Sequence, residues 1–175
     1  MAVRRKPTIK RKSKIIPLIE MEASIMKMFG IRENIIVPNI SWGFDGIHEI
    51  DLFVLRKSGL AIEVEIKRSI SDLKADFKKG HNHESSRITK LYYAIPKKLL
   101  EKSLQLIPEE AGIIICYRLN DNERNIARAS IYREAKIRKN SRKLTPEEQF
   151  KIARLGCMRI FNLKNKIIKL QNNKL

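Results

Sequence analysis

Two short segments carry residues that could do chemistry together. Asp51 sits inside the apolar run EIDLFVL, and Glu63, Glu65 and Lys67 occupy alternate positions of LAIEVEIK. Successive side chains of a strand point to opposite faces. Glu63, Glu65 and Lys67 therefore share one face, while Ile62, Val64 and Ile66 line the other. Two carboxylates on neighbouring strands of a tight hairpin can converge on one hard cation. Mg²⁺ takes oxygen ligands and keeps several waters, so Asp51, Glu65 and a phosphate oxygen suit it. Such an ion lowers the pKa of a bound water and neutralises charge developing on phosphorus. Lys67, on the same side of the strand, can orient the attacking water or stabilise the pentacovalent charge. Glu63, one pleat earlier, can add a supporting hydrogen bond or another metal contact.

EVEIK alone could equally be a solvent-facing Glu–Lys ladder, each pair worth only a few tenths of a kcal/mol. Three features favour the chemical reading. Aspartate is a poor strand residue, yet Asp51 interrupts an apolar strand pattern. The flanking strands look buried, where charges are not simply solvated. The chain is also strongly basic, with a formal charge of +18.

The elements that must position these residues are legible around them. Residues 49–55 and 60–67 read as two strands joined by the Gly-containing turn RKSG, a hairpin signal. SISDLKADFKKG follows as a helix, with Ser69 or Ser71 as cap, Asp72 in the first turn and Gly80 as stop. KLYYAI at 90–95 is a third core strand, and Tyr92 and Tyr93 within it read as structural, with one facing the core. Pro96 opens a helix with Leu99, Leu100, Leu104 and Ile107 on one face. AGIIICYRL is a short, very apolar strand of the buried kind. Upstream, residues 16–29 show helical apolar spacing stopped by Gly30. Residues 34–42, with one proline, suit an edge strand, and GFDGIH is a turn. Residues 120–125 read as a polar loop and 126–138 as a short basic strand or helix. A helix from Pro146 to about Leu170 has Thr145 as N-cap and Glu148 at the capping-box position. This order gives an α/β sandwich around a central mixed sheet flanked by helices.

HEIDLFVLRKSGLAIEVEIK followed by SISDLKADFKKGH resembles the core of the PD-(D/E)XK nuclease superfamily, and within it is most similar to the MmcB-like DNA repair group. The superfamily pattern is an acid on one strand, (D/E)-x-K on the next, then a helix on the sheet; here these are Asp51, then Glu65-Ile66-Lys67. The likeness spans roughly residues 45–115. Ile50 stands before Asp51 where the superfamily's name has proline. The resemblance implies a restriction-endonuclease-like core, Mg²⁺- or Mn²⁺-dependent hydrolysis of DNA phosphodiesters, metal ligation by Asp51 and Glu65, and a role in DNA repair or recombination; a phage or mobile-element origin fits equally well. Many members add an acid from the first helix. Glu22, among Met21, Ile25, Met26 and Phe29 on the apolar face, is the preferred candidate, because a charge there needs a partner; Glu20 shares its face with Ser24 and Lys27 and reads as solvated.

The basic excess lies at the two ends. Residues 1–14 hold seven Lys or Arg and no acid, residues 15–117 balance, and residues 118–175 hold 16 basic and five acidic residues. Basic ends suit a phosphate backbone. The expected organisation is a basic leader over 1–14, a nuclease-like core over 15–118 and a basic, partly helical extension over 119–175. The nucleic-acid-binding candidates are Arg4, Arg5 and Lys6 of the leader, Lys74, Lys78 and Lys79 beside the site, and His81 and His83 of GHNHES. The expected partner is DNA, whether single-stranded, double-stranded or branched. Trp42 reads as packing rather than as a base-stacking platform. No apolar run approaches the roughly 20 residues of a membrane span, no signal peptide follows the basic leader, and Cys116 and Cys157 read as reduced thiols, so a cytoplasmic protein is expected. Small nucleases of this fold commonly act as dimers, which allows a homodimer, although the sequence carries no interface signature.

Overall fold

The computed structural model describes residues 15–40, 49–78, 85–121 and 124–173. The expectations placed on Arg4, Arg5, Lys6, Trp42, the GFDGIH turn, Lys79, Gly80, His81 and His83 lie outside the described residues.

Six strands form one mixed sheet in sequence order: β1 (Ile35–Ile40), β2 (Ile50–Leu55), β3 (Ala61–Ile66), β4 (Ile88–Pro96), β5 (Gly112–Asp121) and β6 (Arg124–Arg133). β1, β2 and β3 pair antiparallel, β3, β4 and β5 pair parallel, and β6 returns antiparallel to β5. Helix α2 (Ile70–Lys78) makes the first parallel crossover; a 3₁₀ turn (Lys97–Leu99) and a short helix α3 (Leu100–Leu104) make the second. Both crossovers step the same way along the sheet, so their right-handedness puts α2 and α3 on the same face, where they touch. The fold is the α/β arrangement expected, a central mixed sheet flanked by helices with a long C-terminal helix, α4 (Pro146–Asn172).

The side-chain alternation of the strands divides the core. On one face Leu52, Val54, Ile62, Val64, Ile66, Tyr92, Ala94 and Cys116 pack against Met21 and Ile25 of α1 (Leu18–Met28). The other face holds two separate apolar clusters. Phe53, Leu55 and Ala61 pack with Leu144 and Ile152 of the α4 region, and Leu91, Tyr93, Ile95 and Ile113 pack with Leu73 of α2 and Ile107. Glu63 and Glu65 fall on this second face, since Glu63 pairs across to Phe53 and Glu65 to Tyr93. A fully buried Leu, Ile or Phe contributes about 1.5–3 kcal/mol, so the two clusters are strong clamps on either side of a polar strip.

Several local signals act as the sequence suggests. Gly30 (φ 75°) follows the end of α1, and Gly59 (φ 83°) closes the β2–β3 turn. Ser69 Oγ accepts the Asp72 N–H, and Asp72 accepts the Arg68 N–H. At α4 the capping box is complete, with Thr145 Oγ1 accepting from Glu148 N–H and Glu148 accepting from Thr145 N–H. Glu148 also pairs with Arg87 (2.7 Å) and Arg142 (2.6 Å).

Three expectations change. The helix after Pro96 is a short, broken one. The fully buried Ser103 bonds the Leu99 carbonyl, Leu104 turns outward, and Ile107 is buried in the following turn. The polar loop expected over 120–125 shrinks, because β5 runs to Asp121 and β6 starts at Arg124. The division expected at residue 118 falls within β5, and β6 completes the sheet and contacts α1. Among the described residues no helix is long and apolar enough to cross a membrane.

Gly112 sits directly beside Tyr92 in the sheet. A Cβ there would stand 2.3 Å from ring carbons of Tyr92 and 2.8 Å from the Ala135 backbone nitrogen. Gly112→Ala should therefore cost about 1–3 kcal/mol or more through overpacking, read as a lowered urea midpoint. An unchanged midpoint would mean that the β4–β5 contact is looser than described.

Candidate active site

The β2–β3 ladder runs as far as Leu52 opposite Val64. One step further, Asp51 faces Glu65. There the backbones part: the Lys67 N–H donates to Ala94 of β4 (2.9 Å), and the Ile66 N–H donates to the Asp51 carboxylate (2.7 Å). Asp51 thus caps the end of the hairpin with its side chain, and its charge is felt by Glu65. An aspartate in an apolar strand makes physical sense here, since it supplies the acceptor that the diverging strand no longer offers.

Every residue of β3 is buried, Glu63 and Glu65 included, and Lys67 just beyond it is 6% exposed. A solvated Glu–Lys ladder is therefore excluded. A buried charge is tolerated only when it is paired. Lys67 Nζ meets this requirement with two carboxylates, Glu65 Oε2 at 2.7 Å and Asp76 Oδ1 at 2.6 Å. Tyr93 Oη reaches the other Asp76 oxygen at 3.4 Å. Glu63 lies deeper on the same face, within electrostatic reach of Glu65 and Tyr93.

The carboxylates crowd one another in a poorly hydrated strip. Burial, reinforced by the Asp51 charge, pushes Glu65 up to about 7, against the pull of Lys67. Burial likewise raises Asp51; the Ile66 N–H and Lys67 oppose it, while Asp72 and Asp76 add to it. Burial works against the Lys67 ammonium, but Glu65 and Asp76 outweigh it and hold the lysine pKa above its ordinary value. Lys67 is therefore a fixed cation beside Glu65, whose carboxyl is pushed up to about 7, and Asp51, whose pKa is raised.

Glu22 comes from α1, which covers the opposite face of the sheet, yet burial and the Asp51 charge raise its pKa. Its carboxyl lies within electrostatic reach of Asp51. Glu20, expected to be solvated, pairs instead with Arg118 of β5 at 2.7 Å, because α1 lies along β5 and β6. Lys74 and Lys78 are exposed on α2. At 100° per residue they lie well round the helix from Asp76, so they line its outer surface rather than the acidic strip. Sequence reasoning missed Asp76 and Tyr93. The available signal was Asp76 placed three residues after the buried Leu73, which turns it toward the sheet; Tyr93 needed the parallel register that sets it beside Glu65.

The oxygen donors Asp51 and Glu65, both raised by burial and by neighbouring carboxylates, fit a hard divalent cation by their chemistry. Among the described residues no three His, Cys, Asp or Glu side chains form a metal cage by themselves. A Mg²⁺ site of the expected kind draws two ligands from protein and the rest from water and phosphate.

The raised Glu65 pKa has a stability consequence. The contribution of a group with a folded pKa above its unfolded value is fully present below the unfolded pKa, about 4.5 here, and is lost as pH rises through the folded value, about 7. Relative to Glu65→Gln, the wild type should thus lose stability in chelator as pH rises from about 4.5 through about 7. Urea unfolding across that range checks this, and a stability difference independent of pH would contradict it.

No protein-family model and no curated protein matches the chain. Among solved structures, a protein of unknown function from Silicibacter pomeroyi superposes with a TM-score of 0.59 at 16% identity, covering 86% of this chain and 90% of that one. That likeness concerns the fold alone.

Proposed function

We propose that the chain is a metal-dependent deoxyribonuclease of the PD-(D/E)XK type that hydrolyses DNA phosphodiesters, in repair or recombination or in the processing of phage or mobile-element DNA. The observation that carries this reading is the meeting of Asp51, Glu65 and Lys67 at one end of the β2–β3 hairpin, with both carboxyl groups raised by burial and neighbouring carboxylate charge. Asp51 and Glu65 would hold Mg²⁺ or Mn²⁺, which supplies charge neutralisation at phosphorus and a more acidic water. Lys67 offers a fixed cation to the attacking water or to the charge building on the phosphoryl group. Asp76, itself bonded by Tyr93, would hold that ammonium in place with Glu65 engaged by the ion. Glu22 contributes a further acidic group within electrostatic reach of Asp51, and Glu63 adds another acidic charge one pleat deeper than Glu65.

A second reading is a nucleic-acid-binding module of the same fold without turnover. It is favoured by one feature, the closure of Lys67 by two carboxylates. Incubation with plasmid, single-stranded and branched DNA in Mg²⁺, Mn²⁺ or chelator separates the two. The enzyme reading expects metal-dependent cleavage, reduced about 10²-fold or more by Asp51→Ala and by Lys67→Ala, with DNA binding retained. Metal-independent binding and no cleavage of any substrate supports the module.

A further inference from the structure

The long C-terminal helix is placed by contacts that follow β1 from end to end. At its start the Leu144 N–H donates to the Gly59 carbonyl (2.8 Å), beside the turn that closes β2 and β3. Midway, Gly156 lies against Val37, whose Cγ2 stands 3.3 Å from where a Cβ would be. Further on, Arg159 donates to the carbonyl of Asn39. Asn39 falls between the pairs Pro38–Leu52 and Ile40–Ile50, across from Asp51. The helix therefore travels from the hairpin turn toward the end of the sheet that holds Asp51, Glu65 and Lys67, and its last part continues beyond Arg159. From Ile160 to Asn173 every residue but the half-buried Asn165 is exposed, a projection of about 20 Å at 1.5 Å per residue.

The charge on this projection has one sign. No Asp or Glu occurs from Gln149 to Asn173, while Arg159, Lys164, Lys166 and Lys169 do. Arg159, Asn162, Lys166, Lys169 and Asn173 recur at alternating spacings of three and four residues, which aligns them in one stripe along the helix. Arg, Lys and Asn are side chains that contact phosphates and base edges. The stripe starts at the residue anchored opposite Asp51 and leads away from the site.

We infer that this stripe is a nucleic-acid contact surface, on which the phosphate backbone of a duplex lies as it leaves the catalytic end of the sheet. The choice of nucleic acid as the polyanion rests on the nuclease reading above. The surface itself needs no turnover.

The test is duplex DNA binding by the full chain in EDTA, with affinity measured across a series of salt concentrations. Glutamine is a good helix former, so Arg159→Gln/Lys166→Gln/Lys169→Gln keeps the helix, which circular dichroism verifies. With each phosphate contact adding about 0.9 to the slope of log affinity against log salt, the triple variant should lose about 2–3 from that slope. Lys164→Gln, round the helix from the stripe, should leave it unchanged. A wild-type slope in the triple variant, an equal loss per charge from Lys164→Gln, or no duplex binding by the wild type would overturn the inference. Because no cleavage occurs in EDTA, a dead catalytic centre leaves a positive result standing, and an active one cannot rescue a negative result.

Discussion

A lysine ammonium held between a buried and a partly buried carboxylate organises this molecule's acidic strip. Lys67 is nearly inaccessible, and removing either Glu65 or Asp76 would leave charge buried with less compensation. The pairing joins the end of β3 to α2, and Tyr93 ties the same aspartate to β4. Three consecutive elements are thus fixed to one another by polar contacts within a sheet face that is otherwise apolar. The cost of that arrangement falls on the acids, which repel one another and hold protons more tightly than usual. A divalent cation would relieve this repulsion, which gives the site a physical reason to bind one.

The surrounding architecture keeps the strip poorly accessible to water. Two apolar clusters on the same face hold α4 on one side and α2 with α3 on the other. Between them lie Glu63 and Glu65, deep to shallow, and at the strand ends Asp51 and Lys67. Glu22, on α1 of the reverse face, lies within electrostatic reach of Asp51. The site is therefore assembled at one end of the central strands, where β2 and β3 separate.

Much of this was legible in the sequence. Period-two alternation in LAIEVEIK gave the shared face of Glu63, Glu65 and Lys67, and the Gly59 turn gave the hairpin that brings Asp51 opposite them. Thr145 and Glu148 marked the start of the long helix by local hydrogen-bond logic alone. What could not be read depended on tertiary register. Asp76 looked like one more charge on a polar helix until α2 was laid over β3, and Tyr93 looked structural until β4 was set parallel to β3. Glu20 lost its solvated status because Arg118, nearly a hundred residues away, lies beneath α1. The outward turn of Leu104 followed from the buried Ser103 hydroxyl, which periodicity does not foresee.

The claim on which the functional account depends is that Asp51 and Glu65 together bind a hard divalent ion. Titration of the protein with Mn²⁺, followed by electron paramagnetic resonance of the free ion, measures this without any substrate. The account predicts saturable uptake at a single site, strongly weakened by Asp51→Asn and by Glu65→Gln, and retained in Asp76→Asn. Absence of saturable uptake, or uptake indifferent to both ligand substitutions, would contradict it.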